Sequence, residues 1–352
     1  MPRLTYTATE EDAGRLLGDV IRRRLGLSRR GLTHAKYLED GILVDGVRSR
    51  TNAVVAAGQA IDVAMADAEG AVEECVVEPA ASPEVAAQVH ILYEDEALVV
   101  ADKPAGMVMY PGPAHAGDTL ANVLLARARA AGHEGLIHPV HRLDAGTSGA
   151  VVFAYTGHAQ HRLSLALHTE GFLREYVAFC EGVPRAADAE RMQLGSLTCD
   201  NAEWDGRPAP TFTVEAPIAR KGFAPSVFAA VSDDDPDGKP ARTHFTVEAS
   251  GTIDTASDPR EVSRLRLRLE TGRTHQIRIH LALMGHPLLG DATYGAGSFA
   301  YVDAAGIPGE LARPALHSAC VVMDHPITGD CLRVEAPMPG NLQALEAALR
   351  RS

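Results

Sequence analysis

The chain has 352 residues, 46% of them hydrophobic, which suffices for two domains at roughly 150 residues each and excludes a disordered chain. Its five cysteines, Cys75, Cys180, Cys199, Cys320 and Cys331, form no Cys-x-x-Cys pair, which argues against a zinc ribbon or a disulfide framework and predicts free thiols. The net charge of −13 is unevenly spread: residues 51 to 100 hold ten acids and no Lys or Arg, whereas residues 15 to 50 hold nine bases and four acids, so a basic module of +5 precedes an acidic stretch of −10.

In chain order, the opening MPRLTYTATEED lacks an apolar signal core. No apolar run approaches the roughly 20 residues of a membrane helix, so a cytoplasmic protein without membrane attachment is expected. In residues 1–63, Leu16, Leu17, Val20 and Ile21 make one apolar helix face and Ser28 is positioned to cap a second helix. ILVDGVRS then sets a β-prone run on each side of Asp45-Gly46, a two-residue hairpin signal, and AGQAIDVAM offers a further strand. This helix-helix-hairpin order resembles the S-four RNA-binding domain, which implies that Arg29, Arg30 and Lys36 on the second helix meet RNA phosphates. Residues 64–88, rich in Ala, Glu and Pro without periodicity, read as a linker.

From residue 89 the pattern is mixed. Strands are expected at 89–93, 97–101, 150–154, 175–181, 211–215, 242–248 and 262–270, helices at 119–131, 157–169 and 274–284, and a turn at Lys103-Pro104-Ala105-Gly106. Residues 89–352 therefore read as one α+β catalytic domain with a central antiparallel or mixed sheet. In VSRLRLRLETGRTHQIRIH, Arg264, Arg266 and Arg268 alternate with Leu265, Leu267 and Leu269, so a strand divides them between its faces. Past Gly272, His275, Ile279 and Leu283 are expected on the buried side of a helix, with Arg278 reaching inward near its start; Arg264 and Arg266 are expected to face solvent.

HPVHRLDAGTSGAVVFA, residues 138–154, sets Asp144 two places after Arg142 and before a turn-forming run. An aspartic protease would need a second aspartate element to share a proton, and there is none. His138, His141 and Asp144 have no familiar metal-ligand spacing. The loop with Asp233, Asp235, Asp237 and Gly238 carries Pro236 inside it and His244 where a calcium loop needs its glutamate, so a solvated surface loop is expected. One carboxylate beside an arginine serves either as a nucleophile or base, or as half of a pair that stabilises a turn.

HRLDAGTSGAVVFA resembles the signature of the RluA family of pseudouridine synthases, His-Arg-Leu-Asp, two residues, Thr-Ser-Gly. ILYEDEALVVADKPAGMVMYPG (91–112), REYVAFCEG (174–182), LETGRTHQIRIHLALMGHPLLGDATYG (269–295) and RPALHSACVVMDHPITGDCLRVEAP (313–337) resemble its other segments, in the family's order. The resemblance implies a pseudouridine synthase fold behind the S-four-like domain. It also implies isomerisation of uridine in structured RNA without cofactor or metal, with Asp144 catalytic, Tyr176 stacked on the uracil, Arg278 paired with the aspartate and Arg142 filling the place of a flipped-out base. Arg273 is a further candidate for RNA phosphate. Tyr155 and Arg174 stand where the family often carries Lys, and Trp204 reads as packing or stacking. The implied partner is RNA, with large-subunit ribosomal RNA preferred, transfer RNA the alternative, and a monomeric enzyme expected. A non-catalytic RNA-binding protein on the same fold, or a nucleoside hydrolase with a distant second carboxylate, would be told apart by uracil release or by inactivity.

Overall fold

The computed structural model describes residues 3–27, 29–64, 82–112, 114–133, 136–167, 169, 171–204, 207–222, 227–303 and 305–351. Ser28, Cys75 and most of the 64–88 segment with its acidic run lie outside the described residues, as does the side chain of Arg30.

The first unit comprises β1 (Arg3–Thr7), α1 (Leu17–Arg24), α2 (Arg29–Tyr37), β2 (Ile42–Val44), β3 (Val47–Arg48) and β4 (Ala60–Ala64), with sheet order β1-β4-β2-β3. Asp45 and Gly46 join β2 to β3 with φ of 52° and 79°, the paired positive values of a type I′ hairpin turn. Leu17, Val20 and Ile21 are buried, but Leu16 is 46% exposed. The expected four-residue face loses Leu16 because that residue precedes α1 in extended backbone, with ψ of 138°, and so leaves the helical spiral. A core from Leu4 to Val63 is complete within this unit. Arg29 and Lys36 are exposed on α2.

The second unit runs α3 (Pro83–Ala86), β5 (His90–Glu94), β6 (Leu98–Lys103), α4 (Leu120–Ala130), β7 (His138–Pro139), β8 (Ser148–Ala154), α5 (Gly157–Ala166) and β9 (Phe172–Glu181). It continues through β10 (Ser196–Trp204), β11 (Arg207–Glu215), β12 (Ile218–Arg220), β13 (Phe228–Ala230), β14 (Arg242–Ile253), β15 (Arg260–Leu269) and α6 (Gln276–Leu283). It ends with β16 (Phe299–Val302), β17 (Pro308–Leu311), β18 (Leu316–Asp324), β19 (Cys331–Glu335), α7 (Gly340–Ala348) and β20 (Arg350–Arg351). The central sheet has the order β10-β11-β14-β15-β9-β18-β8-β6-β5. It is mixed: β18 runs parallel to β8, and the other neighbours are antiparallel.

Strand parity sends alternate residues to opposite layers. On one face Val99, Ala101, Val151, Phe153, Tyr176, Ala178 and Leu267 pack with residues of α4 and α6, and Val85 of α3 joins their edge. On the other, Leu98, Val100, Ala150 and Val152 pack with α5, and Val177 and Phe179 pack with α7. Thr119 caps α4, its Oγ1 accepting from Asn122 N at 3.3 Å while Asn122 Oδ1 accepts from Thr119 N at 3.1 Å.

The alternation in β15 holds: Leu265 and Leu267 have no exposed surface. The arginines opposite them are engaged rather than solvated, Arg264 and Arg266 both pairing with Glu248, and Arg268 Nη2 lying 2.6 Å from Glu175 Oε1. Trp204 is a packing residue, buried, donating to Thr211 Oγ1 at 2.7 Å with Arg268 over its ring. Asp235 of the acidic loop pairs with Lys221 at 3.0 Å. The described cysteines form no disulfide. No helix among the described residues is long and apolar enough to cross a membrane.

Candidate active site

Asp144 sits in the loop before β8, at the parallel junction of the sheet. Its loop is a tight turn, Thr147 N donating to Asp144 O at 3.1 Å. The next carbonyl, of Ala145, accepts from Gly106 N at 2.8 Å and from Lys103 Nζ at 3.0 Å. Arg313 Nη1 donates to Gly146 O at 3.3 Å. The glycines answer a close approach: a Cβ on Gly149, at φ 110°, would stand 2.2 Å from Ser318 O, and one on Gly146 would stand 2.9 Å from Pro314 Cδ. The Asp-x-x-Thr-Ser-Gly spacing is thus set by the fit of this loop against β18.

Lys103, expected in a turn, is the last residue of β6. It is fully buried, and its ammonium donates to the carbonyls of Pro104, Met107 and Ala145 at 2.9, 2.8 and 3.0 Å, using all three N–H groups. Burial pulls its pKa down to about 7, with Asp144 drawing it back upward. Its signal in the sequence is a lysine ending a strand that begins with an apolar run, Leu98 to Ala101.

The cation nearest the Asp144 carboxylate is Arg278, not the adjacent Arg142. Arg278 Nη1 lies 3.7 Å from Asp144 Oδ2, and His275 Nε2 lies 3.9 Å from the same oxygen. Arg278 faces Asp144 as expected, and it has a second, closer carboxylate partner. The close bidentate partner of Arg278 is Asp291, whose Oδ2 and Oδ1 accept from Nε and Nη2 at 2.7 Å each, because both side chains are buried and a planar carboxylate matches the guanidinium fork. Burial works against the Arg278 charge, but Asp291 and Asp144 outweigh it and the pKa is raised. Asp291 lay inside the matched GDATYG segment without an assigned role. Arg142 is exposed at the mouth of the cavity.

α6 starts at Gln276, so His275 is not on its buried face as expected. His275 stands just before the helix with φ of 58°, a left-handed conformation unusual for a residue with a side chain, and Leu283 is only half buried while Ile279 is buried. The His275 ring is held by Tyr294, whose OH lies 2.9 Å from Nδ1 and donates to Phe228 O at 2.9 Å. Burial lowers the His275 pKa, opposed by Asp144.

Tyr176 in β9 pairs in register with Leu267 on one side and Ser318 on the other, which aims it into the helix-covered face containing the cavity. Burial raises its hydroxyl pKa; Arg174 opposes this and Asp144 adds to it. Arg174, also buried, donates from Nη2 to Leu269 O at 3.3 Å. Asp144, Arg142, Tyr176, Arg278 and Arg273 all line one cavity of about 410 Å³, with Arg174 and His275. Arg29 and Lys36 belong to the first unit and are not among the residues that line it.

His141 is a packing residue: its Nε2 accepts from Val152 N at 3.3 Å, its ring meets Phe172 edge-on, and burial lowers its pKa to about 3. No group of three His, Cys, Asp or Glu among the described residues is arranged to hold a metal ion.

The sequence profile of the family described as RNA pseudouridylate synthase matches residues 97–283. A Vibrio vulnificus protein named ribosomal large subunit pseudouridine synthase D is 33% identical over 353 residues, covering 99% of this chain and 95% of the relative. A protein of the same name from Nitrosomonas europaea is 38% identical over 260 residues, covering 74% of this chain and 65% of that protein. Among solved structures, human RNA pseudouridylate synthase domain containing 1 superposes with a TM-score of 0.52 at 23% identity, covering 77% of this chain and 91% of that one, a likeness of fold.

Proposed function

The chain belongs to the RNA pseudouridylate synthase family, and from that premise we propose that it isomerises uridine to pseudouridine in large-subunit ribosomal RNA with Asp144 as its catalytic carboxylate. The observation that carries this reading is Asp144 Oδ2 at 3.7 Å from Arg278 and 3.9 Å from His275, in the cavity that Tyr176 lines. The ribosomal substrate is supported by the relative that matches this chain nearly end to end.

In the reaction the N1–C1′ bond breaks, the uracil turns within the cavity and C5 bonds to C1′; C5 loses a proton and N1 gains one, so neither oxidant nor reductant is consumed. Asp144 acts as nucleophile or base beside the sugar. Arg278, clamped by Asp291, offers its remaining nitrogen to the Asp144 carboxylate. Tyr176 supplies an aromatic face to a detached base and a hydroxyl whose raised pKa keeps it protonated. Arg142 at the mouth fills the stack that the flipped nucleotide vacates. Residues 1–63 act as an S-four-like RNA-binding domain through Arg29, Arg30 and Lys36, and the second unit as the catalytic domain of a cytoplasmic monomer; the expected linker 64–88 is shortened at its end, because α3 (Pro83–Ala86) and Val89 pack on the second unit's core.

The test is conversion of uridine in an unmodified large-subunit ribosomal RNA transcript by native protein and by Asp144→Asn, with the modified positions mapped. Native turnover with an inactive variant that still binds RNA is expected. Full activity in the variant would remove Asp144 from the chemistry; modification of transfer RNA alone would correct the substrate; release of free uracil would make the protein a hydrolase.

A further inference from the structure

A second cleft of about 720 Å³ adjoins the active-site cavity and shares Arg142, Gly272, Arg273 and Thr274 with it. Its outer wall is the β12–β13 hairpin with Lys239. Four cations, Arg142, Arg220, Lys239 and Arg273, face one carboxylate, Asp237, in a chain whose net charge is −13. Arg142, Arg220 and Lys239 have no carboxylate partner within 4 Å among the described residues, and Arg220 and Lys239 are exposed. By contrast, Arg264, Arg266, Arg268 and Arg278 of the same unit are each paired with acids. Unpaired cations gathered in a concavity are arranged for an anion that arrives from outside.

The cleft is also built. Ile218 and Lys239 exchange two backbone hydrogen bonds at 3.0 Å each, and Arg273 Nε donates to Pro240 O at 3.0 Å. Phe228 stands edge-on to His275 with its carbonyl bound by Tyr294 OH, so the hairpin is fastened to the wall that carries two active-site rings. These contacts seat the described hairpin residues beside the cavity.

We propose that this cleft holds the ribose-phosphate backbone of the nucleotide flanking the target uridine, with Arg220 and Lys239 neutralising phosphate and Phe228 giving apolar surface to the sugar or base. The inference rests on the functional reading above. A uridine whose base enters the cavity leaves its own backbone at the mouth beside Arg142, and the neighbouring phosphate has to lie within one nucleotide of it. Arg142, common to both spaces, stands where the chain passes from one to the other.

The experiment substitutes Lys239→Gln and Arg220→Gln, singly and together, in the full chain. Both side chains are exposed, so the core is untouched, and a thermal melt checks folding. Binding of the unmodified ribosomal RNA transcript across a salt series should lose about one unit of log K per log salt for each contact removed. Arg260→Gln, distant on β15 and paired with Glu181, should leave the slope at its native value. In a synthetic RNA carrying the mapped target, a neutral methylphosphonate scanned through the flanking positions should find one place where its effect and that of Lys239→Gln are not additive. A native salt slope in the double variant, or additivity at every position, overturns the subsite. If the native protein binds this RNA but forms no pseudouridine, the functional reading falls, while the slopes still decide whether the cleft takes phosphate.

Discussion

Arg278 gives two guanidinium nitrogens to Asp291 at 2.7 Å and turns the third toward Asp144 at 3.7 Å. Asp291 therefore orients the cation that faces the proposed catalytic carboxylate. Asp291→Ala should strand a buried guanidinium and cost about 3–5 kcal/mol of stability. Asp291→Asn keeps shape and one acceptor, so it should fold better while misplacing Arg278, with single-turnover rates lower by about 100-fold. Denaturant melts and single-turnover assays separate the two effects; native rates in a folded Asp291→Asn would show that Arg278 needs no such clamp.

Lys103→Met should remove the shared donor of three carbonyls, of Pro104, Met107 and Ala145. Ala145 O keeps Gly106 N, whereas Met107 O and Pro104 O lose their lysine donor. A cost of about 1–3 kcal/mol for each carbonyl left unpaired is expected, with slower turnover because Ala145 follows Asp144 in the same turn. Melting and activity measured on the same sample check it, and an unchanged melt would mean that water replaces the ammonium.

Tyr176→Phe retains the ring, so RNA affinity should largely survive while turnover slows by about 100-fold or more through a proton-transfer step. Tyr176→Leu should damage both. The comparison is made by single-turnover kinetics at saturating RNA, and native rates for Tyr176→Leu would take this residue out of the chemistry.

Removing residues 1–81 leaves Val85 and Val89 on the catalytic core and takes away a unit whose own core is self-contained. The truncated protein should fold, keep near-native single-turnover chemistry at saturating RNA, and bind more weakly with a shallower salt dependence. An unchanged slope would mean that Arg29, Arg30 and Lys36 touch no phosphate; a collapsed rate in a folded truncation would mean that the first unit helps to shape the active site.

Acid should destabilise the protein through His280 and His317. Each has an Nε2–H donating to a carbonyl, of Ala216 at 3.1 Å and Ala336 at 3.2 Å, and an Nδ1 accepting from a hydroxyl, of Thr243 at 2.9 Å and Ser148 at 3.0 Å. The neutral ring satisfies that arrangement, and burial lowers each pKa from 6.5 to about 4. The unfolded chain takes up these protons near pH 6.5 and the folded chain only near 4. Stability present above pH 6.5 is therefore lost as pH falls toward 4, by up to about 3 kcal/mol per ring at 1.36 kcal/mol per unit. Urea melts from pH 7 to 4 should show a shallower loss for His280→Gln than for the native chain; equal slopes would mean that His280 is not held neutral.

What the sequence determined by itself was local or carried by motif. The Asp45-Gly46 turn and the Leu-Arg alternation of β15 follow from backbone preference and strand parity within a few residues. HRLDAGTSG singled out Asp144 through its resemblance to a family signature, whose Gly146 and Gly149 stand where a Cβ would meet Pro314 and Ser318. Tertiary structure decided the rest. The parallel pairing of β18 with β8, which brings His317 opposite Ser148 across 169 residues, leaves no periodic trace in either segment. That Arg278 takes Asp291 as its close partner while facing Asp144, that Lys103 lies under the Asp144 loop, and that Leu16 is exposed all depend on which surfaces the sheet and its helices remove from water. Burial sets which charges must find partners, and the available partners are known only when distant strands have taken their register.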